Sequence, residues 1–273
     1  MDIAHGWKHS SMSYKLYTIR DHSGQDHHQW ENRSLDDELA MCDERTLADI
    51  FEENLPKEGL ILEAGCGLGA WVKWLNHHGR SAIGLDRYPD IVRRARELGV
   101  DVRQGDITDL REFETGSLAA YVSLGVIEHF EDGPAPAIRE ALRVLRPGGI
   151  AVFTTPADTS VRTLIVHPLR SAILAAFSVS GRKTFFGEYR FTRDELVDHI
   201  RRGGFEILRT DVDEMKVGTG RHIGLFADFP VLRASSGHFS LNGLGKLILR
   251  LLEWTLPRSA YSSAYCVVAR KPA

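Results

Sequence analysis

Cysteine is scarce: Cys42, Cys66 and Cys266 are an odd number with no metal-ligand spacing, which excludes a disulfide framework and a zinc site. Long apolar runs are missing as well. No stretch approaches about 18 uninterrupted apolar residues, so no membrane-spanning helix is expected. The N-terminus has no basic-then-apolar leader pattern, and the expectation is a cytoplasmic protein. Nor does one charge dominate. A net charge of −3 gives no support to a general nucleic-acid binder. What is present is ordinary: 43% hydrophobic and 26% charged residues in a chain of 273, enough to bury a substantial core. The charge is unevenly placed. Residues 1–60 carry 13 acids against 6 Lys/Arg, whereas 159–193 carry six cations against Glu188 alone.

The most informative stretch is Ile61-Leu-Glu-Ala-Gly-Cys-Gly-Leu-Gly-Ala-Trp71. An apolar run, Leu60 to Leu62, ends in Glu63; Gly65, Gly67 and Gly69 follow at alternate positions, and an amphipathic segment comes next. This reads as strand, glycine turn, helix. The glycines allow a sharp turn and a close approach by a ligand, and the helix start offers unpaired N–H groups. Cys66 reads as a small residue that fits the turn. Gly65, Gly67 and Ala70 also satisfy the dinucleotide pattern G-x-G-x-x-A. Glu63 argues against that reading, because its carboxylate would repel a pyrophosphate but suits a ligand carrying an ammonium group.

With Glu63, Gly65, Gly67 and Gly69 complete, the chain resembles the class I S-adenosylmethionine-dependent methyltransferases of the small-molecule type, whose first motif is (D/E)-x-G-x-G-x-G. The resemblance implies that Glu63 and the glycine loop, Cys66 included, face the methionine part of the cofactor. A second strand, Ser81 to Leu85, ends in Asp86, 21 residues after Gly65. A carboxylate there can accept both ribose hydroxyls of an adenosine cofactor, with Arg87 beside it. Asp90 after Pro89 is expected to cap the next helix. Asp101 to Gln104 is the third strand. By resemblance, Asp106 then faces the adenine amino group and Ile107 the ring; an Asp after Gly also suits a plain turn.

The fourth strand, Leu118 to Ser123, runs into Leu124-Gly-Val-Ile-Glu-His129, whose backbone at Leu124 is expected to close the cofactor site. Glu128 and His129 are expected near the transferred methyl. In similar O-methyltransferases that make ubiquinone precursors, E-x-x-E-H at this place is linked to a metal. Gly125 replaces the first acid here, so no metal is expected. His129 remains a candidate base, with a purely structural role as the other reading. A helix over Ala135 to Leu145 leads to Leu-Arg-Pro-Gly-Gly149, a marker of the same family, and to a strand, Ile150 to Thr155. Thr192-Arg-Asp-Glu195 is a capping box. Phe205 to Asp213 and Ala264 to Arg270 are the last strands; the resemblance implies an α/β, Rossmann-like, seven-stranded and mostly parallel sheet with helices on both faces and an antiparallel last strand.

Residues 1–34, with five scattered histidines, read as a solvated arm, and 35–273 as the methyltransferase domain. Leu35 to Asn54 reads as one acidic helix. In similar enzymes an N-terminal helix lies over the cofactor mouth, where Trp30 is either a stacking residue or a buried anchor. Two insertions, 158–188 and 218–263, stand outside the common core. Both are apolar, and the first lies where the family builds substrate lids, with Tyr189 at its border as a further substrate-contact candidate. The 158–188 and 241–257 segments are expected to form a lid and pocket, a homodimer face, or a peripheral membrane contact. The functional expectation is methyl transfer from S-adenosylmethionine to a small-molecule, glycan or lipid-linked acceptor at oxygen. A nucleotide-binding oxidoreductase and a non-catalytic S-adenosylmethionine-binding protein are the alternatives. No nucleic-acid partner is expected, because the N-P-P-[YF] signature is missing from the end of strand four.

Overall fold

A computed structural model describes residues 13–18, 33–179, 183, 185–235 and 237–273. Its strands are β1 (Tyr14–Thr18), β2 (Leu60–Ala64), β3 (Ser81–Asp86), β4 (Val102–Gln104), β5 (Leu118–Leu124), β6 (Leu145–Pro156), β7 (Phe185–Arg190), β8 (Glu206–Asp213) and β9 (Ala264–Arg270). The helices are α1 (Leu35–Cys42), α2 (Thr46–Asn54), α3 (Ala70–His77), α4 (Pro89–Glu97), α5 (Ala135–Val144), α6 (His167–Val179), α7 (Arg193–Arg202), α8 (Ile223–Asp228) and α9 (Gly243–Thr255).

Seven strands form one sheet in the order β4-β3-β2-β5-β6-β9-β8. The first five run parallel, and β9 inserts antiparallel between β6 and β8. Side chains alternate across the sheet, as the two-residue period of a strand requires. Ile61, Ala120, Val122, Val152 and Val268 face one buried cluster with α1 to α4. Leu62, Tyr121, Phe153, Val267 and Ala269 face the other with α5 and α7. Both faces are covered, which is why these strands read as near-continuous apolar runs. The capping box at the start of α7 is formed in both directions: Glu195 N–H to the Thr192 hydroxyl, and Thr192 N–H to the Glu195 carboxylate.

Four local expectations are corrected. The acidic helix is two helices. Arg45 is extended between them, because this turn is tied to the end of β8. Thr46 N–H donates to the Glu214 carbonyl at 2.9 Å, Lys216 N–H to the Glu44 carbonyl at 2.7 Å, and the Arg45 guanidinium forks onto the buried Asp213 carboxylate. Asp90 does not cap α4; Pro89 occupies its first position, and Asp90 pairs with Arg93 instead. β6 begins at Leu145, with an irregularity in its pairing to β5 where Arg146 to Gly149 intervene. Finally, Tyr14–Thr18 is not a solvated arm. It pairs antiparallel with β7, and the Tyr14 ring stacks on His167 at 3.5 Å between centroids. Trp30 and the five N-terminal histidines lie outside the described residues.

The Arg45–Asp213 pair holds the α1–α2 turn against the sheet. Removing one partner of a mostly buried ion pair leaves the other uncompensated. Asp213→Asn is therefore expected to lower unfolding free energy by about 3 kcal/mol, measured by urea denaturation; an unchanged midpoint would refute this role.

Candidate functional site

The glycine turn folds over the tip of β3. Gly65 and Cys66 both donate their N–H to the Leu85 carbonyl, at 2.7 and 3.0 Å, and Gly67 N–H donates to Asp86 Oδ2 at 2.9 Å. Gly65 has φ +83°, and a Cβ there would lie 2.4 Å from Val126 Cγ2, so glycine is required both by conformation and by packing. Cys66 fills the space beside Gly84, where a Cβ would meet its sulfur at 2.5 Å. Burial pushes the Cys66 thiol well above its ordinary pKa, so it is a packing residue rather than a nucleophile.

This turn forms one end of a cavity of about 970 Å³ at the carboxyl ends of the parallel strands. Glu63, Gly65, Cys66, Asp86, Arg87, Asp106, Ile107 and Leu124 all line it. Gly67 and Gly69 do not; they serve the turn.

Glu63 is buried at the end of β2. Its Oε2 accepts the Val72 N–H from the first turn of α3 at 3.1 Å. Among the described residues no cation lies within 4.0 Å of it. Burial pushes its carboxyl up to about 8. A buried acid that faces a cavity and has no cation within ion-pair distance suits a ligand that brings an ammonium group. Asp86 is also buried, and burial raises its carboxyl. Its Oδ1 accepts the Tyr88 N–H at 3.0 Å. With one backbone donor on each oxygen, the carboxylate keeps lone pairs for two hydroxyls. Asp106 is exposed, and its Oδ1 takes the N–H and hydroxyl of Thr108 at 2.8 and 2.7 Å. It is both the turn residue its sequence suggests and a wall of the cavity.

The far half of the cavity is built by β5, the short helical turn after it, β7 and the region around α8. Glu128 is buried there, with neither carboxylate oxygen hydrogen-bonded. Burial pushes its carboxyl up to about 7. His129 lines the same space from an exposed position; its Nδ1 is 2.9 Å from the Gly187 carbonyl, so Nδ1 carries the proton. Tyr189 is corrected: it is buried away from the cavity, its hydroxyl donates to the Glu131 carbonyl at 2.8 Å, and its ring stacks on Phe191.

Sequence reading missed a buried charge chain in this half. Arg162 Nε donates to Asp228 at 2.7 Å, and its Nη1 reaches the carbonyls of Ala157, Ser262 and Ser263. Arg190 pairs with Glu188 at 2.8 Å and Asp228 at 3.4 Å. Arg162 and Arg190 were legible only as cations of the 159–193 stretch; the Asp228 they share comes from a distant segment. Both are compensated by carboxylates within the protein. Glu188 also converges with Glu128 and His129, their ligand-type atoms lying within 4.8 Å of one another. The acid missing at Gly125 is thus supplied from β7, but it is committed to Arg190.

Comparison with known proteins agrees with this geometry. Residues 62–153 match the family model of the methyltransferase domain. A probable S-adenosylmethionine-dependent methyltransferase of Mycolicibacterium smegmatis is 34% identical over 46% of this chain and 54% of its own length. A ubiquinone biosynthesis O-methyltransferase of Xanthomonas oryzae pv. oryzae is 33% identical over 35% of this chain and 42% of its own length. The chain thus spans about half the length of the curated relatives it matches. The structure of an S-adenosylmethionine-dependent methyltransferase from Archaeoglobus fulgidus superposes with a TM-score of 0.57 at 14% identity, covering 90% of this chain and all of that one. The fold is therefore the Rossmann-like class I methyltransferase fold.

The titration of Glu63 fixes the sign of a pH effect. Only the ionised carboxylate pairs with an ammonium, so affinity for S-adenosylhomocysteine should rise with pH towards about 8, where Glu63 is half ionised in the unliganded protein. Glu63→Gln should flatten this dependence and weaken binding at pH 8 by about 2 kcal/mol. Calorimetry at several pH values checks both; a parallel pH dependence in the variant would exclude Glu63 as the ammonium partner.

Proposed function

We propose that this chain, which carries the domain of the class I S-adenosylmethionine-dependent methyltransferases, methylates a hydroxyl oxygen of a small-molecule, glycan or lipid-linked acceptor. One observation carries the reading. A single cavity runs from Glu63, Asp86 and Asp106 to the buried, unpartnered carboxylate of Glu128. The first three residues suit the ammonium, ribose and adenine of the cofactor. The fourth suits the hydrogen of an acceptor hydroxyl.

S-adenosylmethionine supplies, when bound, a methyl group on a sulfonium, which is already a good leaving group. The chain must therefore hold the acceptor oxygen in line and keep water out, and such positioning is worth roughly 7–11 kcal/mol. Glu128 accepts the hydroxyl proton as the oxygen attacks. Its carboxyl, pushed up to about 7, is matched to a base working near neutrality. His129 is assigned the positioning part: its Nδ1–H, held by the Gly187 carbonyl, fastens the turn after β5 to β7. Phe185 and Phe186 of β7 and Phe239 line the acceptor half, which suits an acceptor with an apolar body. The O-methyltransferase named among the relatives supports oxygen as the acceptor atom.

Calorimetric titration with S-adenosylhomocysteine, with NAD in parallel, tests the class; binding of NAD instead would overturn it. The base is tested in an acceptor screen of phenols, glycans and lipid-linked sugars. Turnover should rise with pH through about 7, as Glu128 ionises. Glu128→Gln should cost about 10²- to 10⁴-fold and abolish that limb, leaving S-adenosylhomocysteine affinity unchanged. His129→Gln should retain the limb. Loss of the limb in His129→Gln alone would transfer the role to the histidine.

A further inference from the structure

Among the described residues, ten of the fourteen exposed large hydrophobic side chains fall within the two insertions. Helix α9 shows why they form a face. At about 100° per residue, Gly245, Ile248, Leu249 and Leu252 share one side, and the last three pack into a satellite cluster with Leu225, Leu232 and Tyr261. Leu244, Leu247, Leu251 and Trp254 share the neighbouring side and are exposed, Trp254 by 84%. A helix that only closes a core would carry polar residues there. The preceding insertion adds Leu164 and Ile165, exposed by 76% and 55%, and Leu169 and Ile173. Val161 of that insertion and Phe229 join the satellite cluster, so the two segments share one support.

The border of this face is basic. Lys246 and Arg250 follow Trp254 and Leu247 around the helix, and among the described residues neither belongs to an ion pair. Glu253 is the single acid of α9. Among the described residues no helix is long and apolar enough to cross a membrane. An apolar stripe with a terminal tryptophan and unpaired cations along its edge matches the apolar interior, interface and anionic headgroups of a lipid leaflet. Two copies joined through the same face would instead bring their unpaired cations together.

We infer that α9 and the exposed side chains of Leu164, Ile165, Leu169 and Ile173 seat the protein peripherally on an anionic lipid bilayer. A second cavity, of about 340 Å³, reaches the surface beside Leu169 and Ile173 and has Arg190 in its wall, as the active cavity does. The docked face thus lies next to the acceptor half of the site. That consequence rests on the methyl-transfer reading; the docking does not.

The test is co-sedimentation of the full chain with vesicles of phosphatidylcholine alone or with about one-third phosphatidylglycerol. Binding to the anionic vesicles is expected, weakened about tenfold by Lys246→Gln with Arg250→Gln or by high salt. Leu247→Asp with Leu251→Asp should abolish it. These positions are exposed, and S-adenosylhomocysteine binding reports that each variant is folded. No sedimentation with anionic vesicles, or equal binding to both vesicle types, would overturn the proposal. So would a dimer in light scattering that the Leu247/Leu251 variant dissolves, since the face would then belong to a second copy. Failure of methyl transfer with intact vesicle binding would remove only the catalytic reading.

Discussion

The structure hangs on the crossing of the glycine turn over the tip of β3. Asp86 holds the Gly67 and Tyr88 N–H groups, and Leu85 holds those of Gly65 and Cys66. These bonds fix the end of β2 against the end of β3. They open the cavity where the parallel strands terminate, and they aim the first turn of α3 at Glu63. Val126, packed against Gly65, ties the same turn to the loop after β5. One small backbone feature therefore sets the position of the cofactor half and of the loop that carries Glu128.

Two buried carboxylates give the cavity its chemistry. Glu63 and Glu128 are both raised by burial, and among the described residues neither is met by a cation within ion-pair distance. Burial of such groups is unfavourable to the folded state, and a ligand that supplies a positive charge or a hydroxyl hydrogen relieves it. The remaining charges behave differently. Arg162, Arg190, Asp228 and Glu188 neutralise one another, stiffening the acceptor wall without offering a net charge.

The insertions complete the far half of the cavity from outside the common sheet. β7 carries Phe186, Glu188 and Arg190 into the cavity and is itself paired with β1, so residues near the start of the chain brace the wall. The same insertions leave exposed apolar side chains on α9 and between Leu164 and Ile173. Both insertions rest on one support, the cluster around Leu232 and Leu249, which Val161 joins.

By itself the sequence determined the strand–turn–helix at Glu63 to Trp71, the strand end at Asp86 and the capping box at Thr192. Each is written in local periodicity, glycine placement or short spacing. Tertiary structure alone decided the break at Arg45, since its cause is Asp213, 168 residues away. It also decided the removal of Tyr189 from the site and the burial of Arg162 and Arg190. Glu188 could not be read as a neighbour of Glu128, because the contact arises only when β7 folds back over the turn after β5. Local signals specify backbone conformation; which charges meet depends on how distant segments pack, and no spacing in the chain encodes that.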